Sequence, residues 1–112
     1  VRFLPNPFYI EEYRNKSGRV PAVREYVESF PISATFKEKW FDMIDFLLPN
    51  YEREGKSQLV IAVGCTGGMH RSVCMAEALY KHLKETGVDV SIEHRDLYKN
   101  DVEEDAPGYE GM

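Results

Sequence analysis

The chain has 112 residues, 43% of them apolar and 12% aromatic, enough for one domain with a core of moderate size. Its longest apolar runs are far too short to cross a bilayer as a helix. The opening "VRFLPNPFY" lacks the basic stretch, apolar core and small-residue cleavage site of a secretory signal, so a cytoplasmic location is expected. Net charge is −5, but Asp101, Glu103, Glu104, Asp105 and Glu110 follow Asn100 with no Lys or Arg among them, which leaves residues 1–100 balanced at fourteen charges of each sign. That balance excludes the whole-domain basicity of a dedicated nucleic-acid binder, so an RNA contact needs a local patch.

In chain order, "VRFL" reads as the end of a strand whose beginning is cut off, and "PNP" enforces an extended exit. "RNKSGRVP" is a polar loop with Arg14, Lys16 and Arg19 on its solvated surface. Pro21 then opens a short helix that runs to about Ser29. Thr35 is the expected N-cap of a second helix, in which Phe36, Trp40, Ile44, Leu47, Leu48 and Tyr51 recur at helical spacing and make one apolar face, with Pro49 and "EREGKS" ending it.

"QLVIAVG" is short, rich in β-branched residues and bounded by turn formers, which predicts a central parallel strand. A third helix is expected from near His70 to about Thr86, with Val73, Ala76, Leu79, Tyr80 and Leu83 inward and Gly87 just past its end. "VDVSIEHR" alternates as a second strand. Strand, helix, strand implies a right-handed parallel crossover, so the expected class is α/β: a small three-layer domain with a mainly parallel sheet and a glycine-rich loop between a central strand and a helix. "DVEEDAPGYEGM" at residues 101–112 reads as an acidic, disordered tail.

The chemistry concentrates at "GCTGGMHRS", where the first strand gives way to the third helix. Backbone N–H groups of a glycine-rich turn and of a helix N-terminus converge with partial positive charge, which favours an anion. The candidate phosphate-binding residues are Cys65, Thr66, Gly67, Gly68, Met69, His70, Arg71 and Ser72. Neither Walker A spacing nor G-x-G-x-x-G is present, since Met69 and His70 stand where Walker A needs Gly-Lys. The bland alternative is a turn closed by Gly67 and Gly68 with Arg71 solvated.

A second alternative is catalytic: Cys65 and Arg71 stand as Cys-x5-Arg with Ser72 next, the spacing of cysteine-dependent phosphatases, in which a thiolate attacks phosphorus and the arginine holds the oxygens. Gly64 replaces the histidine usual before that nucleophile, and no aspartate is assignable as general acid. Zinc ligation by Cys65, His70, Cys74 and His94 lacks a paired cysteine knuckle, so no metal is expected. The two cysteines are expected as reduced thiols. His82 belongs near the negative end of the third helix. His94, Arg95 and Lys99 follow the second strand at the same sheet edge as the loop and are candidate contacts to a ligand or to RNA.

"RFLPNP", "PNYEREGKSQLVIA", "GCTGGMHRSV" and "HRDL" together resemble the RapZ family, the YvcJ-type P-loop nucleotide-binding proteins, over residues 1 to 99. The resemblance implies that this chain is the C-terminal domain, without catalysis of its own. The implied full-length protein adds an N-terminal P-loop domain in cis that binds and hydrolyses ATP or GTP. It also implies a regulator that senses a hexosamine phosphate through Thr66, Gly67, His70 and Arg71, with small regulatory RNA as a partner; a second copy of the chain is a further candidate partner. Two departures stand out: Phe8 where the family places a histidine after "NP", and "DLYKNDVEED" where it ends in Lys and Arg.

Overall fold

The computed structural model describes residues 1–95. Residues 96–112, with Lys99 and the acidic segment, lie outside the described residues. The described chain is helical, with short 3₁₀ turns at Pro7–Tyr9 and Glu11–Tyr13 followed by α1 (Pro21–Glu28), α2 (Pro31–Arg53) and α3 (Arg71–Glu85).

No strand occurs among the described residues, which corrects the α/β expectation and its parallel crossover. Both apolar runs alternate as strands do, but each packs one side only: Ile61, Val88 and Val90 lie against Ile44, Leu79 and Leu83. The other side faces out, with Val60 81% exposed. A central parallel strand needs cover on both faces and neighbours along both edges, and residues 57–64 and 88–94 have no ladder here. Period-2 alternation reports which side chains are covered, not whether the backbone is paired. "VRFL" is likewise a turn, closed by Leu4 N–H on Val1 O at 3.3 Å, with Leu4 buried. Asn6 stops the chain from continuing extended: its side chain accepts from Phe8 N–H at 3.1 Å and starts the 3₁₀ turn behind Pro7.

Helix α1 begins at Pro21 as expected, with Val23 and Val27 fully buried. Helix α2 starts four residues before Thr35, behind Phe30 with Pro31 in its first turn, where a missing N–H costs nothing. Ser33 Oγ donates to Val27 O at 2.5 Å and fixes the corner between the two helices. Pro49 lies inside α2, which runs on to Arg53. Both long helices end in Schellman closures. In α3, Gly87 N–H reaches Lys84 O at 3.1 Å and Val88 N–H reaches Leu83 O at 2.9 Å, with Gly87 at φ +85°; α2 closes the same way at Gly55.

Two apolar clusters share Trp40. One holds Leu4, Val27, Cys74 and Met75; the other holds Ile44, Leu79 and Leu83. His82 ties α3 to α2, its Nε2 2.9 Å from Asp45 and its ring stacked on Phe41 at 4.4 Å. The N-terminal turns and the segment before α1 close over the start of α3. Gly18 N–H donates to Met69 O at 2.9 Å, and Ser17 and Gly18 are buried, so the "RNKSGRVP" segment is interior at its centre and not a wholly solvated loop.

Candidate functional site

The first turn of α3 is where the unsatisfied helix N–H groups collect, and its side chains are almost all inside: Met69, His70, Arg71 and Ser72 are buried, while Thr66 and Gly67 are exposed and Cys65 is half-buried. The helix is brought against residues 17–18 because position 18 has no side chain. A Cβ there would stand 2.3 Å from His70 O and 2.6 Å from Cys74 N.

Arg71 is the centre of the arrangement. It is 4% exposed, and its Nη1 donates to the carbonyls of Arg2 and, at 3.3 Å, Leu4, while Nη2 reaches Thr66 Oγ1 at 3.4 Å. Its Nε is buried with no hydrogen-bond partner among the described residues, and no carboxylate there pairs with the guanidinium. A buried cation satisfied only by neutral oxygens retains an uncompensated charge, costly in a low-dielectric setting unless an anion approaches. Arg71, Thr66, Arg2, Leu4, Asn6 and Tyr9 line an open cavity of about 630 Å³.

Cys65 Sγ lies 3.3 Å from Ser72 Oγ and accepts Ser72 N–H at 3.4 Å. Burial pushes this thiol up, but hydrogen bonding from the Ser72 hydroxyl, from Ser72 N–H and from Gly68 N–H, together with the Arg71 charge, outweighs burial and holds it below the ordinary thiol value. Cys74, nine residues on and fully buried, is pushed up to about 12, chiefly by burial. His70 is held below the ordinary imidazole value by burial first and by Arg71 last, against carbonyls of Tyr13, Arg14 and Lys16 that favour its protonated form. Its Nε2 donates to Tyr13 O at 3.1 Å, so the neutral ring has a fixed tautomer and faces the N-terminal segment.

Of the other candidates, His94 is 6% exposed, with Nε2 2.8 Å from Glu77 Oε2 on α3. Arg19 Nε stands 3.9 Å from the same oxygen. Arg95 is exposed, and Lys99 lies outside the described residues. Among the described residues no group of three or more His, Cys, Asp and Glu is arranged to hold a metal. Sequence reasoning missed the contribution of Arg2, Asn6 and Tyr9. The available signal was Asn6 before Pro7, an Asx cap that starts the 3₁₀ turn.

The family model of the RapZ C-terminal domain matches residues 1–98. The chain belongs to that family. Curated relatives named nucleotide-binding protein agree: 54% identity over 100 residues in Caldicellulosiruptor saccharolyticus, covering 89% of this chain and 34% of the relative. The Alkaliphilus oremlandii relative is 59% identical over 96 residues, 86% of this chain and 33% of its own. That of Clostridium kluyveri is 51% identical over 108 residues, 96% and 35% respectively. The chain spans about a third of the length of the curated relatives it matches, and the RapZ C-terminal match contains the whole loop from Cys65 to Ser72 together with the N-terminal segment that Arg71 binds.

Proposed function

We propose that this domain is the ligand-sensing part of a nucleotide-binding RapZ-type protein and that it binds a phosphate-containing metabolite, a sugar phosphate in the first instance, in the cavity beside the Cys65–Ser72 loop. The observation that carries the reading is Arg71: a guanidinium 4% exposed, lining the cavity, with Nε unpartnered and no carboxylate beside it among the described residues. A phosphate in the cavity supplies the negative charge that the Arg71 guanidinium lacks, with Thr66 Oγ1 beside it as a neutral partner. The cavity at about 630 Å³ is of the size small-molecule sites have.

Calorimetric titration with inorganic phosphate and with a hexose phosphate tests the reading. Thr66→Val is the informative variant, because Arg71 also holds Arg2 and Leu4 and its removal perturbs folding. Loss of one neutral hydroxyl contact is worth roughly 0.5–1.5 kcal/mol, about two- to twelve-fold in affinity; unchanged affinity in Thr66→Val, or no binding by the unaltered chain at millimolar ligand, sinks it.

A second reading, phosphoester hydrolysis with Cys65 as nucleophile and Arg71 on the phosphoryl oxygens, draws on Ser72 standing against the Cys65 sulfur. Among the described residues that line the cavity there is no carboxylate to protonate a leaving group, and the binding reading needs none. Turnover of an aryl phosphate that disappears in Cys65→Ser would favour hydrolysis instead.

A further inference from the structure

We propose that Phe3 and Tyr9 are specificity-determining residues, through which the Arg71 cavity selects phosphate esters of ring sugars over free phosphate and over open-chain esters. The proposal rests on the anion reading of that cavity and concerns what lies beyond the phosphate. A phosphate ion fills only a small part of about 630 Å³. Phe3 and Tyr9 line the same cavity as Arg2 and Arg71, together with Asn6. Aromatic walls with a few polar groups set among them are the composition by which small-molecule sites orient a ligand.

Both rings are open to solvent, Phe3 at 56% and Tyr9 at 77%, so neither stands where it does to fill the core. Each is nevertheless held. Phe3 meets Phe36 of α2 edge to face, with centroids 5.3 Å apart at 75°, and Tyr9 meets Phe8 in the same way at 5.8 Å and 85°. Phe8 is fixed in turn by Arg14, whose Nε donates to Phe8 O at 2.9 Å and whose guanidinium lies 5.1 Å from the ring centroid. An edge-to-face neighbour covers one face of a ring at most, which leaves Tyr9 a face for a ligand. The 3₁₀ turn that carries Tyr9 starts at Asn6, whose Oδ1 accepts from Phe8 N–H. The amide nitrogen of Asn6 is thereby left as a donor.

These features suit the parts of a cyclic sugar phosphate. Arg2 and Arg71 supply positive charge for the phosphate, the C–H face of a pyranose sheds water against an aromatic face, and a ring hydroxyl accepts the Asn6 N–H. Inorganic phosphate uses the first of these alone, and an open-chain ester has no ring face to cover.

Calorimetric titrations of the chain at constant ionic strength with inorganic phosphate, glycerol-3-phosphate, glucose-6-phosphate and adenosine monophosphate read the selectivity. Glucose-6-phosphate is expected to bind about three- to tenfold more tightly than glycerol-3-phosphate, the return on covering about 30–55 Å² of apolar surface. Tyr9→Ala removes most of that margin, lowering glucose-6-phosphate affinity by more than inorganic phosphate affinity, whereas Tyr9→Phe keeps the ring and keeps the margin. Glucose-6-phosphate bound no more tightly than glycerol-3-phosphate by the unaltered chain, or a margin that survives Tyr9→Ala combined with Phe3→Leu, overturns the proposal while phosphate binding preserves the anion reading. Adenosine monophosphate bound more tightly than glucose-6-phosphate assigns the rings to an aromatic group and overturns it as well. Failure of every one of these compounds to bind at millimolar concentration overturns both readings together.

Discussion

At the scale of single residues, what fixes the site is how closely two backbones approach. Gly18 has an ordinary φ, so its need for glycine is spatial: a Cβ would meet His70 O and Cys74 N, neither of which can move without moving the first turn of α3. Gly18→Ala is expected to destabilise the fold by about 1–3 kcal/mol, the range of an overpacked interior, and to weaken phosphate binding along with it. Chemical denaturation with a parallel titration checks both, and a variant as stable as the parent contradicts the packing. His70 makes a different prediction. Its folded-state affinity for a proton is below the ordinary one, so the unfolded chain binds the proton first as pH falls. The His70 contribution is flat above the ordinary imidazole value of about 6.5 and destabilises progressively as pH drops below it. Urea unfolding of the chain and of His70→Gln from about pH 8 to about pH 5 reads this as a shallower acid-side loss in the variant; equal slopes would contradict it.

At the scale of elements, the helices were legible and the remainder was not, for a physical reason. Pro21, the apolar spacing of Phe36 to Tyr51, and Gly87 are local signals, and α1, the face of α2 and the end of α3 follow them. Thr35 and Pro49 misled because each is a good terminator only when nothing else holds the turn. Pro31 supplies an earlier start, and the Gly55 closure supplies a later end. The strands failed because alternation in "VIAV" and "VDVSI" records one covered side, while pairing is a property of neighbours elsewhere in the chain. In the loop, residue types alone pointed to Thr66, His70 and Arg71 as anion donors. That Arg71 turns toward Arg2 and Leu4, and His70 toward Tyr13, depends on a segment more than fifty residues away and was not readable. Gly87 offers the cleanest test at this scale. It has open space around it but φ +85°, so Gly87→Ala should cost about 1–2 kcal/mol through backbone conformation alone and shorten α3 at its C-terminus, far from the loop. A stability loss with phosphate affinity intact is the expected pair of results. Loss of affinity as well would mean that the two ends of α3 are coupled.

At the scale of the whole molecule, the domain is about a third of relatives named for nucleotide binding, yet residues 1–112 carry neither Walker A nor G-x-G-x-x-G. Under the proposed division of labour, ATP and GTP compete with phosphate for the Arg71 cavity only through their phosphates, at the affinity of other phosphate esters and with no preference for either base. Micromolar, base-selective binding by this chain alone contradicts that division. The central claim is that the guanidinium of Arg71 awaits an anion, and the Arg71 Nε–H resonance reports on it directly. In a titration of the ¹⁵N-labelled chain with inorganic phosphate, that signal and the amides of Gly67 and Gly68 should move together along one saturable curve at constant ionic strength, while the amides of α2 stay fixed. An Arg71 Nε–H signal unmoved at millimolar phosphate, or shifts no larger there than on α2, would contradict the account.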